Sequence, residues 1–421
     1  MKNKILCGDS LEVLKDFEDN YFHSVVTDPP YGLAFMGKKW DYDVPQVELW
    51  KEVYRVLKPG GHILSFAGSR TYHRMAVNIE DAGFEIRDML GWLYGSGFPK
   101  SHNIGKAVDK LQGNKREVIG VSTGKGYSSQ QEKNKEQGFR PYKDGLPHEK
   151  ADRTLTKGNS KWEGWGTALK PAHEPIVMAR KPFNTSVAEN VLTHGTGGIN
   201  IDECRVGTDG GTKKINTENC RESLGKYGDG LNGGKVQSLN EGRFPANIIH
   251  DGSEEVLEIF PETSPSNPKK RNRNTIGSFG MPNDNTNEYN DKGTAARFFY
   301  CAKASKAERN MGLDDFDKKS NAFMATNNGT SGKASKGMER FKTQPKANYH
   351  PTVKPIKLME YLVRLVTPKE GIVLEPFAGS GTTLIACKQQ GFNYIGIERE
   401  QEYCDIAEAR LKAVQVQGEL F

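Results

Sequence analysis

Apolar periodicity is regular at the two ends of this chain and breaks down in the long stretch between them, and that distribution limits the fold more than any single residue does. Over the first 99 residues strand-like and helix-like runs alternate, which favours a parallel sheet covered by helices. KILCG is strand-like, and SVVTDPPY is a stronger strand that ends in prolines. VELWKEVYRVLK has helical spacing, with Trp50, Val53, Tyr54 and Leu57 on one face and Pro59-Gly60-Gly61 to stop it. A strand HILSFAG, a helix near Tyr72 to Ala82 ended by Gly83, and a strand FEIRDMLGW complete this half. After Pro351 the pattern returns: KLMEYLVRLV reads as an amphipathic helix, GIVLEPF as a buried strand, TTLIACKQQ as a helix closed by Gly391, FNYIGIE as a second buried strand, and a last helix runs from about Glu402.

Between the ends, residues 102–165 lose apolar periodicity and read as a basic, flexible insertion. HEPIVMARK regains strand character, so the sheet is expected to resume over 166–183, and 184–346 is Gly- and Asn-rich with short apolar islands such as RFPANIIH and ARFFYCAKAS. Apolar residues make up 35% of the 421, below the roughly 45–50% of globular chains, so much of the chain is solvated loop. The charge is uneven. Residues 100–181 carry 17 Lys+Arg against 9 Asp+Glu and residues 265–346 carry 16 against 8, each a net +8, while the whole chain is only +6. Those windows interleave bases with Tyr127, Tyr142, Trp162, Trp165, Phe279, Tyr289, Phe298 and Tyr300, as a phosphate-binding surface requires; a solvated insertion is the plain alternative. The six cysteines stand far apart without a CxxC pair, which argues against zinc-finger spacing and a disulfide scaffold and fits a reducing cytoplasm. No apolar run approaches the roughly 18–20 residues of a membrane span, and the N-terminus does not read as a signal peptide.

Two segments carry chemistry. Thr27-Asp28-Pro29-Pro30-Tyr31 follows an apolar strand directly, at the edge where open α/β sheets place their sites. Asp28 and the Pro29 carbonyl can accept the two hydrogens of an amino group, Pro30 stiffens the loop, and Tyr31 can stack on the attached ring. The other is Leu374-Glu375-Pro376-Phe377-Ala378-Gly379-Ser380-Gly381-Thr382-Thr383, between a strand and a helix. Gly379 and Gly381 let a ligand approach the backbone, and the helix start behind them favours a carboxylate. No Lys follows the second Gly and the third Gly of a dinucleotide fingerprint is missing, so triphosphate and NAD readings fall. Glu398, at the end of the next strand, can accept both hydroxyls of a ribose. A nucleoside with an amino-acid tail and no phosphate meets these requirements, and S-adenosylmethionine is the common cofactor of that description.

The pairing of DPPY near one end with FAGSGTT near the other resembles the amino-methylating DNA methyltransferases of the permuted, beta-group type, including phage and prophage members. GDS at 8–10, LKPGG at 57–61, HPTVKP at 350–355 and IGIE at 395–398 extend the resemblance. It implies an α/β, class I (Rossmann-like) S-adenosylmethionine-dependent methyltransferase sheet, circularly permuted, with an irregular target-recognition region inserted. Residues 1–101 would form the catalytic half, 184–346 the target-recognition region and 347–421 the cofactor half. Asp28, Pro29, Pro30 and Tyr31 would hold the target base. Phe377, Gly379 and Gly381 would line the cofactor's methionine end, Glu398 would take its ribose and Asp9 would contact its adenine, although Asp9 is equally a helix N-cap; Ser10, Glu375 and Thr382 would also belong to the cofactor site. Thr352 and Lys354 would meet the cofactor carboxylate, with Lys354 as charge partner. His350 has a functional reading and an idle one, both open.

Such a site would act on double-stranded DNA by positioning and electrostatics, without a metal, on a base flipped out of the helix. Asp at the first motif position goes mostly with adenine-N6 in the resembling group and Ser with cytosine-N4, so Asp28 favours adenine; the same chemistry permits cytosine-N4. RNA or protein amino-methylation and a non-catalytic DNA-binding role are the remoter readings. A cytoplasmic enzyme is expected, with a cognate restriction enzyme, a solitary phage-type existence and a homodimer all left open. Arg243, Lys269, Lys270, Arg271, Arg273, Arg297 and Lys303 are candidates for DNA contact.

Overall fold

The two regular ends of the sequence meet in one sheet. In the computed structural model, which describes residues 2–33, 41–97, 101–122, 153–207, 213–216, 236–239, 242–264, 292–302, 308–317, 322–323, 341–342, 347–350 and 353–414, nine strands join. They are β1 (Lys4–Cys7), β2 (Phe22–Thr27), β3 (Leu57–Phe66), β4 (Glu85–Leu93), β5 (His173–Arg180), β6 (Ile248–His250), β7 (Tyr300–Cys301), β8 (Ile372–Glu375) and β9 (Asn393–Glu398). Their spatial order is β1-β9-β8-β2-β3-β5-β4-β6-β7. Every neighbouring pair is parallel except the two that involve β5, which runs antiparallel to β3 and to β4. The last two strands of the chain thus lie between its first and its second.

Seven helices cover the faces: α1 (Ser10–Leu14), α2 (Val47–Val56), α3 (Tyr72–Asp81), α4 (Val187–His194), α5 (Ile356–Val366), α6 (Thr382–Gln389) and α7 (Gln401–Ala413). Because successive strand residues point to opposite faces, the buried strands feed two separate cores. Ile63, Val177, Ile372, Leu374, Ile395 and Ile397 meet Trp50, Val53, Met75 and Ile79 of α2 and α3 on one side. Leu64, Phe66, Ile176, Met178 and Val373 meet Leu358, Leu362, Leu384 and Ile385 of α5 and α6 on the other. Continuous apolar runs such as GIVLEPF are therefore what a strand buried on both faces needs.

The helix α2 ends at Val56, and Leu57 already belongs to β3, so Lys58-Pro59-Gly60-Gly61 lies inside a ten-residue strand. The helix thus stops ahead of Pro59-Gly60-Gly61 as expected, while the strand expected from His62 already starts at Leu57. Gly60, at φ +79°, kinks the strand, and the Gly60 N–H and the Gly61 carbonyl still bond to Lys181 of the neighbouring chain segment at 2.9 Å each. β3 pairs with β2 at Leu57 and again only from His62, so the breaker segment sits at an irregularity of the ladder.

Residues 97–171 form a second compact unit. It holds a helix, Ile104–Gln112, and an antiparallel hairpin of Glu117–Ser122 with Arg153–Lys157. Within it the Arg116 guanidinium donates to Asp109 and, at 2.6 and 2.9 Å, to both Glu163 oxygens. The aromatic positions Tyr127, Tyr142, Phe279 and Tyr289 lie outside the described residues. Among the described residues no helix is long and apolar enough to cross a membrane.

Trp50, on α2, is fully buried and donates its Nε1–H to the Pro45 carbonyl. Trp50→Ala is expected to cost about 3–5 kcal/mol of stability. Tyr42→Ala, at a side chain 70% exposed, should stay within about 0.5 kcal/mol. Urea unfolding of the two variants checks the contrast.

Candidate active site

The sheet brings the two chemical motifs together. β8 pairs in parallel with β2 through Val373–Ser24 and Leu374–Val25, so the loops that leave both strands start side by side at the carboxyl edge. Asp28 follows β2 by one residue, and Pro376 follows β8 by one. In an open α/β sheet the crevice between such loops is where ligands sit. Asp28, Lys354, Phe377, Gly379, Thr382 and Thr383 line one cleft here.

The DPPY loop is held from behind. Asp41, 2% exposed, accepts the backbone N–H groups of Tyr31 (2.7 Å) and Gly32 (3.0 Å) on Oδ1 and that of Leu33 (3.3 Å) on Oδ2. Thr71 Oγ1 donates to the Tyr31 carbonyl at 2.7 Å. A buried carboxylate that takes up otherwise orphaned N–H groups fixes the backbone of a loop that two prolines already stiffen.

In front of the loop stands a charged cluster. The Lys354 ammonium, 8% exposed, lies 2.8 Å from both Asp28 oxygens, 3.0 Å from Glu174 Oε2 and 3.0 Å from the Tyr31 hydroxyl oxygen. It also sits over the Phe66 ring, 4.7 Å from its centroid. The Tyr31 hydroxyl donates to Asp28 Oδ1 at 2.6 Å and reaches Glu174 Oε2 at 3.1 Å. Burial alone would lower the Lys354 pKa, but the two carboxylates outweigh it and hold the ammonium above its ordinary value. Burial, reinforced by the same carboxylates, raises the Tyr31 hydroxyl well above the usual tyrosine range, so it stays a donor. Glu174 enters because β5 is antiparallel: its first residues, with Glu174 opposite Trp92 and His173 opposite Leu93, fall at the edge where the parallel strands end.

The glycine loop is shaped by steric need. Gly379 has φ +51° and Gly381 φ +78°. A Cβ on Gly379 would lie 2.9 Å from His350 Nε2, and one on Gly381 would lie 2.8 Å from the Ala407 Cβ, so neither position accepts a side chain without movement. The Gly379 N–H donates to Glu398 Oε2 at 2.8 Å and the Glu400 N–H to Glu398 Oε1 at 2.9 Å. Burial raises the Glu398 carboxyl above its ordinary pKa. Below the loop Arg410, fully buried, donates to the Ser380 carbonyl at 2.5 Å, to Ser380 Oγ at 3.1 Å and to Thr382 Oγ1 at 3.3 Å. Burial lowers its pKa to about 10, which leaves it charged at neutral pH.

The expected site residues fall as follows. Asp9 caps α1 by accepting the Leu11 N–H at 3.0 Å, and Ser10 Oγ donates to the Pro376 carbonyl at 2.5 Å, so the GDS segment packs under the glycine loop. Glu375 is 2% exposed and its oxygens are engaged by Thr27 Oγ1 (2.5 Å), the Phe377 N–H (3.0 Å) and Thr383 Oγ1 (2.6 Å). Lys354, expected to face a cofactor carboxylate, rests on Asp28 and Glu174. His350 stands edge-on to Tyr403 at 4.7 Å between ring centroids. Thr352 lies outside the described residues, as do Lys269, Lys270, Arg271, Arg273 and Lys303. Arg243 and Arg297 both flank the Phe298 ring, at 4.5 and 4.6 Å. Asp41, Glu174 and Arg410 are not among the expected residues. A carboxylate inside the apolar run of β5 is the one signal that could have marked Glu174. Among the described residues no group of three or more His, Cys, Asp or Glu is placed to hold a metal ion.

Comparison with known proteins places this geometry. The DNA methylase family model, of the class that methylates N6 or N4 amino groups, matches residues 22–409, and the chain belongs to that family. It is a DNA amino-methyltransferase, and its mostly parallel α/β sheet is that of the class I methyltransferases. The Type II methyltransferase M.HindIII of Haemophilus influenzae is 22% identical over 96% of this chain and 93% of its own length. Among solved structures, the cytosine-N4-specific PvuII DNA methyltransferase aligns with TM-score 0.42 and 14% identity over 99% of this chain and 87% of that one. The M1.HpyAVI complex with SAM aligns with TM-score 0.38 and 16% identity, over 97% and 98% respectively.

Burial pushes the Glu375 carboxyl up to about 8 from 4.5, against the pull of its three donors. A carboxyl whose folded pKa is raised stabilises the fold fully below its unfolded pKa, and this contribution is lost as pH rises toward the folded value. The melting temperature of the wild type is therefore expected to fall relative to Glu375→Gln as pH rises from the ordinary carboxylate range to about 8. Thermal melts of both proteins across that range check the sign.

Proposed function

We propose that the protein is a site-specific DNA methyltransferase that moves the methyl group of S-adenosylmethionine to the exocyclic N6 of an adenine flipped out of double-stranded DNA. The observation that carries the reading is Asp28 facing, across one cleft, the Gly379 turn in which a Cβ has no room. The cofactor fits this chain's residues: Gly379 and Gly381 open the backbone to it, Phe377 offers an apolar wall, Glu398 stands at the ribose end, and Asp9 with Ser10 backs the loop. Bound there, S-adenosylmethionine supplies an electrophilic methyl on a sulfonium.

The protein's own groups then act on the base. An exocyclic amino nitrogen is a poor nucleophile because its lone pair is delocalised into the ring. Asp28 and the Pro29 carbonyl accept its two hydrogens and draw it toward a tetrahedral form, so the lone pair is free to attack. Asp41 and Thr71 fix the backbone from Tyr31 to Leu33 just beyond those acceptors, and preorganised acceptors cost no reorganisation when charge develops. The Tyr31 ring stacks on the base and offsets part of the flipping cost of a few kcal/mol. Adenine is favoured over cytosine by the resemblance at Asp28.

Incubation with unmethylated DNA and labelled S-adenosylmethionine, digestion to nucleosides and mass spectrometry of the product tests the reading. N6-methyladenine is the expected product; N4-methylcytosine would keep the mechanism and overturn the target, and unlabelled DNA would overturn both. Asp28→Ala is expected to lower transfer by at least about 100-fold while calorimetry still detects cofactor binding.

A further inference from the structure

In the cluster before the DPPY loop, one ammonium serves two carboxylates. Lys354 stands within 2.8 Å of both Asp28 oxygens and 3.0 Å of Glu174, and Tyr31 donates to Asp28 Oδ1 as well. Asp28 is thus engaged on both oxygens before any base arrives, although the proposed chemistry needs one of them for the target amino group. Glu174 is the other carboxylate on Lys354, and the Tyr31 hydroxyl reaches its Oε2 at 3.1 Å. The side chains of Asp28 and Glu174 are 16% and 19% exposed, so the balance of charge among the three groups is felt in a site with little water.

We propose that Glu174 is a positioning residue for the transfer: it takes Lys354 from Asp28, which opens an Asp28 oxygen to the amino group and leaves the trio with one formal negative charge where the nitrogen turns positive. The inference rests on the amino-methyltransferase reading above. As the nitrogen lone pair forms the N–C bond, the C–S bond breaks with its pair left on sulfur, and the amino proton leaves to an Asp28 oxygen. Without Glu174 the Lys354 charge falls wholly on Asp28. The pair is then neutral, and the acceptor that should meet the nitrogen is occupied by a cation.

Three variants test this against a merely structural role: Glu174→Gln, Glu174→Asp, and the double variant Glu174→Gln with Lys354→Met. Glu174→Gln is expected to lower kcat about 100-fold with KM for S-adenosylmethionine unchanged, and Glu174→Asp to recover part of the loss. The double variant restores the formal charge and frees Asp28, so it should be more active than Glu174→Gln alone. Affinity of the cofactor-free enzyme for duplexes carrying the target base, or the same base with its amino group deleted, is a second readout. The wild type and the double variant should discriminate the two duplexes, and Glu174→Gln should not. Transfer and discrimination at the wild-type level in Glu174→Gln, or a double variant worse than the single one, overturns the inference and leaves the function standing. A wild type that methylates no DNA overturns the function itself.

Discussion

The parallel pairing of β8 with β2 is the contact on which the site depends. Four residues in two strands, Val373 with Ser24 and Leu374 with Val25, join halves of the chain that are more than three hundred positions apart. Thr27 bonded to Glu375 spans 348 positions, and Lys354 bonded to Asp28 spans 326. Closing so long a loop is entropically cheaper than intuition suggests, because the cost grows only with the logarithm of length. The buried apolar faces of both strands supply the driving force.

Given that pairing, the site follows from sheet geometry. Parallel strands end at one edge, so the residues just past β2 and β8 and the last residue of β9 collect there as Asp28, the glycine loop and Glu398. The antiparallel β5 adds what no parallel strand could, a residue from its beginning at the edge where its neighbours finish. Glu174 owes its place to that reversal. The same principle explains why the α/β class, the order of the elements and the two motif loops were legible in the sequence: each is a local pattern of apolar period, proline and glycine.

The parts that were not legible are those that depend on which buried polar group meets which. Asp28 and Lys354 each stood out by motif, yet nothing in either segment says that they touch. Asp41 sits in WDYD, a stretch without periodicity, and reaches its role only when the DPPY loop folds back onto it. Arg410 lies on α7, of which the sequence marks only that it is a helix, and is fully buried beneath Ser380. In each case tertiary partners overrode local propensity.

Arg410 and Lys354 also show how the same cost is put to two uses. Removing a cation from water is expensive unless fixed acceptors replace the hydration. Arg410 meets a carbonyl and two hydroxyls of the glycine loop, neutral partners that need not change during a reaction, and so it serves as a rigid support. Lys354 meets two carboxylates and a phenol, partners among which its hydrogen bonds can be redistributed. A cation held by neutral groups braces a loop. One shared between two anions can be passed from one to the other, and the cleft places that second arrangement beside Asp28, where an incoming amino group has to compete for the same oxygens.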